Sequence, residues 1–259
     1  KTLRPNRRLM LLKTRQPARQ AARLAILAAT LGVLSGCQGI GTLSLPQSGS
    51  QVRIIDVSST SPALDIYQGH DALAYNLGFG TITSYVPVAP GAYSLAANST
   101  GTAQTVSAAK GTFLPASQYT VLIGDTAAGP QPLTLKDQNQ PAPRGQIALR
   151  LIDQAERVGS VDLYLVPPGQ TLADARPVAA NIVFGANTGY LNIPTGTYTL
   201  IMLPAGTIPT ETTIPAYTGT QVVYADGSAR TIILIDQLQV SGYRLQAITA
   251  ADYDPPATL

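Results

Sequence analysis

Beyond about residue 50 the apolar residues fall into short runs separated by Gly, Pro, Ser and Asn. In the first half these runs are VRIIDV (52–57), ALDIY (63–67), ITSYVPV (82–88), AYSLAA (92–97), QTVSA (104–108), QYTVLIG (118–124) and PLTLK (132–136). In the second half they are IALRLID (147–153), VDLYLV (161–166), GYLNI (189–193), TYTLIML (197–203), QVVYA (221–225), ARTIILI (229–235) and YRLQAI (243–248). Val, Ile, Tyr and Thr dominate them, residues that suit a pleated backbone with one packed face. No stretch here keeps an apolar period near 3.6, so long helices are not expected. The pattern predicts an all-β fold, with about seven strands in each ~100 residues, the size of an immunoglobulin-like β-sandwich.

The two halves repeat each other. Val52–Asp56 matches Leu149–Asp153 and Leu64–Tyr67 matches Val161–Tyr164, at an offset of 97 residues. Asn76–Tyr85 matches Asn181–Tyr190 and Pro90–Leu95 matches Thr195–Leu200, at an offset of 105. Tyr119–Asp125 corresponds to Arg230–Asp236. Five blocks in one order indicate internal duplication. The change of offset places an insertion at Val166–Ala179, where Pro and Gly mark a lengthened loop. We therefore expect tandem sandwiches over 51–140 and 145–254, with a boundary in QNQPAPRG (Gln138–Gly145).

The chain before the repeats differs in kind. Residues 1–36 hold eight basic residues and no acidic one, and an apolar run, Leu24–Leu34, leads into Ser35-Gly36-Cys37. A positive segment, a short apolar core and small residues at a cleavage point describe a secretory signal. The core is shorter than the ~20 apolar residues that cross a bilayer. Leu34–Cys37 resembles a bacterial lipobox, which implies cleavage between Gly36 and Cys37 and acyl chains such as palmitate on Cys37. That covalent lipid is the one non-protein group expected. Two or more chains matter, because one gives only reversible attachment. The rival reading is a free thiol behind an ordinary signal. Gln38 stands where an Asp would resemble an inner-membrane retention signal, so an outer membrane is favoured in a two-membrane cell. Translation beginning at Met10 would give a more ordinary leader. Residues 37–50 comprise the lipidated Cys37 and QGIGTLSLPQSGS, which reads as a flexible tether.

Charge changes meaning once the leader is set aside. The full sequence carries 17 basic and 14 acidic residues. Without the eight basic residues of 1–36, nine basic residues face fourteen acidic ones, a net charge of −5. Nucleic acid is not an expected partner, since that requires a clustered basic surface.

Several repeated residues point to architecture. Gly91 and Gly196 suggest turn geometry that other residues adopt poorly. Tyr93 and Tyr198 open the next strand, with rings between sheets and hydroxyls near the turn, as in a tyrosine corner. Asp65 and Asp162, like Asp56 and Asp153, read as carboxylates that stabilise turns. Phe79-Gly80 and Phe184-Gly185 repeat as well. These residues, with Arg53, Ser61-Pro62 and Tyr67 in the first copy and Arg150 and Tyr164 in the second, make residues 51–254 similar to the bacterial family called domain of unknown function 4397. The second copy has Arg157-Val158-Gly159 in place of the Ser-Pro turn, and both copies lack the family's usual His near the end of the first strand. The resemblance implies envelope lipoproteins with immunoglobulin-like folds and no established activity.

Candidate chemistry is sparse. His70, the only histidine, falls in a turn, and no G-x-S-x-G context supports a Ser-His-Asp site with Asp71. One His and one Cys do not make a zinc site of the usual ligands. Asp137-Gln-Asn139 and Asp252-Tyr-Asp254 alternate oxygens in a way calcium tolerates, without a full binding loop. The two Glu of the chain argue against a glycosidase pair. No Trp accompanies the 12 Tyr, which weighs against a lectin-like platform. Tyr217, Tyr224, Tyr243 and Tyr253 lack equivalents in the first copy and read mainly as packing residues. With no catalytic residue, metal or cofactor assigned, the expectation is a lipid-anchored, non-enzymatic envelope module. Its partner would be a protein or glycan, met first through the Val166–Ala179 insertion. The alternative is an envelope hydrolase or calcium-dependent binder built on the turn carboxylates.

Overall fold

A computed structural model of the protein describes residues 49–237 and 245–256. Cys37, Gly36, the leader and Tyr243 lie outside the described residues. The structure is nearly all strand. The first half forms β1 (Ser50–Asp56), β2 (Leu64–Gln68), β3 (Asp71–Leu77), β4 (Thr81–Ile82), β5 (Val86–Val88), β6 (Gly91–Ser99), β7 (Thr105–Phe113), β8 (Gln118–Thr126) and β9 (Gly129–Lys136). The second forms β10 (Gln146–Gln154), β11 (Val161–Val166), β12 (Ala179–Ile182), β13 (Asn187–Pro194), β14 (Gly196–Pro204), β15 (Tyr217–Tyr224), β16 (Ala229–Asp236) and β17 (Leu245–Tyr253).

Four sheets result. In the first half β4-β1-β8-β9, with β5 also on β1, makes sheet I, and β3-β2-β6-β7 makes sheet II. In the second, β13-β10-β16-β17 makes sheet III and β12-β11-β14-β15 makes sheet IV. The topology repeats, down to the one parallel pairing in each half, β1 with β8 and β10 with β16.

Each half packs its two sheets around its own core. Val52, Ile54, Leu64, Ile66, Leu95, Phe113, Val121 and Ile123 fill the first. Ile147, Leu149, Leu151, Leu163, Met202, Ile232 and Leu234 fill the second. A third cluster joins Ile55, Val57 and Leu122 of sheet I to Ile152, Ile233, Ile235 and Ala250 of sheet III. The layers therefore stack as II, I, III, IV, with sheets I and III buried on both faces. That explains why β1, β8, β10 and β16 are apolar almost throughout: a strand packed on both sides has no solvent face to alternate toward.

The differences from the sequence pattern have local causes. Ser50, read as tether, is fully buried in β1, where its Oγ donates to the Ser117 carbonyl at 3.3 Å. The run 82–88 is broken between β4 and β5, and Tyr85 in the break lies over a buried arginine. Strands β3 and β12 were not apparent as runs. Each ends in a bulge at an asparagine in left-handed conformation, Asn76 at φ 51° and Asn181 at φ 50°. Asparagine is among the few non-glycine residues that take this geometry readily. The segment Gln138–Gly145 does connect the halves without a strand. It is pinned, however: Ala142 is buried against Ala148 and Ala229, and the Gln138 N–H donates to the Tyr190 hydroxyl at 3.1 Å.

The insertion at 166–179 replaces the tight Gly69-His70 turn with a loop that includes a short 3₁₀ turn, Leu172–Asp174. Leu172 and Ala175 pack inward on Tyr164, Val166 and Leu203. A second lengthening follows. Residues 100–104 link β6 to β7, whereas residues 205–216 link β14 to β15.

Candidate functional site

The largest polar constellation is buried where sheets I and III meet. Arg53 lies mid-strand in β1 with its side chain turned away from its own core. Its Nη2 donates to Asp252 Oδ1 of β17 at 2.6 Å and to Thr120 Oγ1 at 2.7 Å, and its Nη1 donates to the Ala251 carbonyl at 2.9 Å. Arg150 of β10 does the converse, donating to Asp137 Oδ1 at 2.5 Å and to Thr231 Oγ1 at 2.9 Å. Tyr85 lies 4.7 Å from the Arg53 guanidinium and Tyr190 4.7 Å from that of Arg150. Each carboxylate is then held by its own half. Asp137 accepts from the Tyr85 hydroxyl at 2.7 Å and Thr120 at 2.6 Å, and Asp252 from Tyr190 at 2.9 Å and Thr231 at 2.6 Å. The arrangement is an approximate two-fold exchange of arginines between halves. Burial and the adjoining carboxylate raise the Tyr85 hydroxyl well above its ordinary pKa, and burial raises that of Tyr190.

This network takes up both calcium candidates. Asp137 and Asp252 each meet an arginine, Asn139 donates to the Ala116 carbonyl at 2.8 Å, and Asp254 pairs with Arg230. Among the described residues, no three His, Cys, Asp or Glu side chains gather as a metal site would require.

The repeated carboxylates sit in turns. Asp65 accepts from the N–H groups of Asn76 at 2.8 Å and Gly101 at 2.9 Å, and from Thr100 Oγ1 at 3.2 Å. Those N–H bonds hold its pKa below the ordinary range. Asp162 accepts from Asn181 and Gly206 N–H groups at 2.7 and 2.9 Å. Each thus satisfies the N–H that its left-handed asparagine frees at the bulge.

At the far ends of β1 and β8, a Ser-Ser-Thr-Ser loop wraps two further carboxylates. Asp56 accepts from the Ser58 N–H at 3.0 Å, and Asp125 accepts from Ser58, Ser59 and Thr60 hydroxyls at 2.5–3.0 Å. Burial, countered by the Ser58 bond and reinforced by Asp125, raises Asp56 to about 7. Asp153, likewise buried and beside Asp236, is raised to about 6, and its Oδ2 has no partner.

The tyrosine-corner expectation divides. The Tyr198 hydroxyl donates to the Pro194 carbonyl at 2.9 Å. Tyr93 instead stacks on Phe113 at 4.6 Å, and its buried hydroxyl has no partner. Gly91 has φ 150°, but Gly196 is not left-handed; a Cβ there would lie 3.2 Å from the Tyr198 hydroxyl. Phe79 packs into the cluster between sheets I and III, whereas Phe184 is 39% exposed and is not a core residue. Gly80 approaches Ile235 across the seam, whereas at Gly124, the position equivalent to Ile235, the Gln154 side chain fills the space.

His70 and Asp71 are exposed in the turn between β2 and β3, and no hydrogen bond joins them. The 167–178 loop exposes Gln170, Thr171, Asp174 and Arg176 beside Pro168, Ala173 and Pro177, with no large apolar side chain among them. Instead, the 205–216 loop carries the exposed apolar groups, with Ile208 84% and Ile214 88% exposed. Val183 and Phe184 lie at the same end of sheet IV, since Ile182 and Pro204 both pair with Val161. Contacts of Gly124 with Gln154 and of Gly80 with Ile235 put the Asp-bearing ends of both halves together. This apolar end is therefore remote from Ser50. A signal for it existed: the offset between repeats rises from 105 to 111 by Tyr119 and Arg230.

Residues 50–164 match the family model "Domain of unknown function (DUF4397)", which supports that family for the first half and its continuation through β10 and β11. No curated protein matches the sequence. Among solved structures, the Bacillus anthracis TIE protein is similar at 10% identity and TM-score 0.23, over 73% of this chain and 34% of that one. A family CBM26 module from Eubacterium rectale Amy13K, solved in complex with maltoheptaose, is similar at 11% identity and TM-score 0.25, over 80% and 98%. Both likenesses are too weak to bear on function.

Proposed function

We propose that the protein is a cell-envelope lipoprotein, held to the membrane by acyl chains on Cys37, that binds a partner without catalysing a reaction. The observation that carries this reading is the exposed apolar end formed by Ile208, Val183 and Phe184, remote from the strand that leads back to the tether. An apolar loop end on a rigid scaffold is a common binding surface. The network carboxylates, and Asp65 and Asp162 in the turns, are engaged by arginines, hydroxyls and backbone N–H groups. The partner is a protein or a glycan of the envelope, which is the outer membrane in a two-membrane cell.

A photo-reactive residue at Ile208 in the lipidated protein should cross-link one discrete envelope component, whereas the same residue at Gln170 in the other inserted loop should not. Cys37→Ser should release the protein from acyl labelling while leaving its thermal unfolding unchanged. Equal labelling from Ile208 and Gln170, or acylation that persists in Cys37→Ser, would overturn the proposal.

A further inference from the structure

The 205–216 loop contains the triplet Thr-Ile-Pro twice, at residues 207–209 and 213–215, with Thr210-Glu211-Thr212 between them. A residue that precedes proline is held in an extended backbone conformation, so both isoleucines sit on stiffened chain. A turn closes the middle of the loop. The Thr213 N–H donates to the Thr210 carbonyl at 3.2 Å, and the Thr210 N–H donates to Thr213 Oγ1 at 2.8 Å. Glu211 is exposed within this turn, and Ile208 and Ile214 flank it along the chain, both almost fully exposed. A loop ordered in this way before contact avoids much of the entropy cost of binding.

Charge at this end of the second sandwich is one-sided. Asp153 exchanges backbone bonds with Gly185 and Ala186 beside Phe184, Asp162 accepts from the Gly206 N–H, and Asp236 accepts from the N–H groups of Glu156 and Arg157. With Glu156 and Glu211 they make five acids, against Arg157 as the one described base in these segments. Counting Arg244 of residues 238–244 as well, five acids still face two bases. Among the described residues none of the five meets a Lys or Arg within ion-pair distance, and Asp153 Oδ2 is buried without a partner. The opposite end differs, for Asp137, Asp252 and Asp254 each meet an arginine there. Uncompensated acids set beside an apolar surface select a partner of positive charge.

Resting on the reading of this end as the binding surface, we propose that its partner is a protein presenting a basic side chain between two apolar pockets. Ile208 and Ile214 enter the pockets, and the basic group pairs with Glu211. A glycan fits less well. Thr210 Oγ1 bonds Thr212 Oγ1 at 3.3 Å and Thr213 Oγ1 at 3.0 Å, so the loop's hydroxyls are engaged with one another, and isoleucine has no flat ring face for a sugar to stack on. An anionic lipid surface would be repelled by the same acids.

The test uses the full lipidated chain in its own membranes with a photo-reactive residue at Val183, which leaves both isoleucines and Glu211 in place. The adduct should be a single protein, removed by protease and unchanged by periodate. Glu211→Lys should lower its yield about tenfold, because like charges opposed across an interface are costly. Glu211→Gln should lower it less, and Asp174→Lys in the 167–178 loop not at all, with melting unchanged in all three. Raising salt from ~0.1 to ~1 M, which shortens the screening length from ~10 to ~3 Å, should weaken the parent more than Glu211→Gln. A protein adduct whose yield ignores Glu211→Lys, or an adduct that is a phospholipid or is destroyed by periodate and not by protease, would overturn this inference and leave the binding surface standing. Absence of any discrete adduct from Val183 and from Ile208 would overturn both.

Discussion

Asp137→Ala tests the seam between the two sandwiches. In the intact protein the Asp137 side chain is fully buried and meets an Arg150 side chain that is 3% exposed. Removing the carboxylate leaves Arg150 with Thr231 Oγ1, the Lys136 carbonyl at 3.3 Å and the Tyr190 ring, but with no anion of its own. It also strips the acceptor from the Tyr85 and Thr120 hydroxyls. Stranding a buried charge in this way costs about 3–5 kcal/mol, a large part of the ~5–15 kcal/mol typical of a folded chain. Deleting both charges is a different perturbation. Asp137→Leu with Arg150→Met removes the desolvation cost along with the attraction. Only the hydroxyls then remain unpaired, for a net loss of about 1–2 kcal/mol.

Urea unfolding followed by circular dichroism and by tyrosine fluorescence measures both. The parent should unfold in one transition, since the cluster from Ile55 to Ala250 ties the halves together. Asp137→Ala should lower the midpoint at an unchanged slope, and Asp252→Ala should do the same by stranding Arg53. Combining Asp137→Ala with Asp252→Ala removes both anions from the seam and should split the transition in two. The reasoning fails if Asp137→Ala costs less than ~1 kcal/mol, or if the Leu/Met double variant is no more stable than the alanine variant.

Three further outcomes follow from local geometry. Asp56 keeps its proton to about 7 in the folded protein, whereas an unfolded Asp ionises near ~3.9. Its burial therefore costs stability progressively as pH rises from about 4 to about 7, and Asp56→Asn should stabilise by ~2–4 kcal/mol at pH 8 and hardly at all at pH 4; a pH-independent effect in urea melts would contradict this. A Cβ at Gly124 would sit 2.1 Å from Gln154 Oε1, so Gly124→Ala should cost about 1 kcal/mol by forcing that side chain from its rotamer, and the cost should vanish in a Gln154→Ala background. Tyr93→Phe deletes an unpartnered buried hydroxyl and should be neutral or stabilising by about 1 kcal/mol, while Tyr198→Phe loses the bond to Pro194 and should cost about 1 kcal/mol; equal calorimetric shifts would refute the distinction.

The strand content and the internal repeat were legible because both rest on local pattern. The docking of the two halves was legible too, in a less familiar form. VRIID, LRLID, YTVLI and RTIILI do not alternate, and such runs in β-strands mean two buried faces. An arginine set among them, at Arg53 and Arg150, then needs a buried anion. That anion was hidden because Asp137 and Asp252 belong to different offsets from their arginines and align with nothing between the copies. Seen singly, each carboxylate invited a cation from solution; the structure supplies an arginine from the other half. Strands β3 and β12 were obscured for a related reason, since the bulges at Asn76 and Asn181 interrupt alternation where Asp65 and Asp162 reach across.

The two halves differ most in their connections. The first half turns tightly at Gly69-His70 and at residues 100–104, while the second carries residues 167–178 and 205–216 at the same points. Lengthening alone does not mark a binding surface. The 167–178 loop turns Leu172 and Ala175 inward onto Tyr164 and Leu203 and exposes no large apolar side chain. The 205–216 loop does the reverse, holding Ile208 and Ile214 out to solvent. Exposed isoleucines on a short Thr-rich loop gain nothing in folding, because burial is what makes an apolar side chain stabilising. The proposed partner therefore meets sheet IV of the second half, where Ile208, Val183 and Phe184 lie exposed at one end.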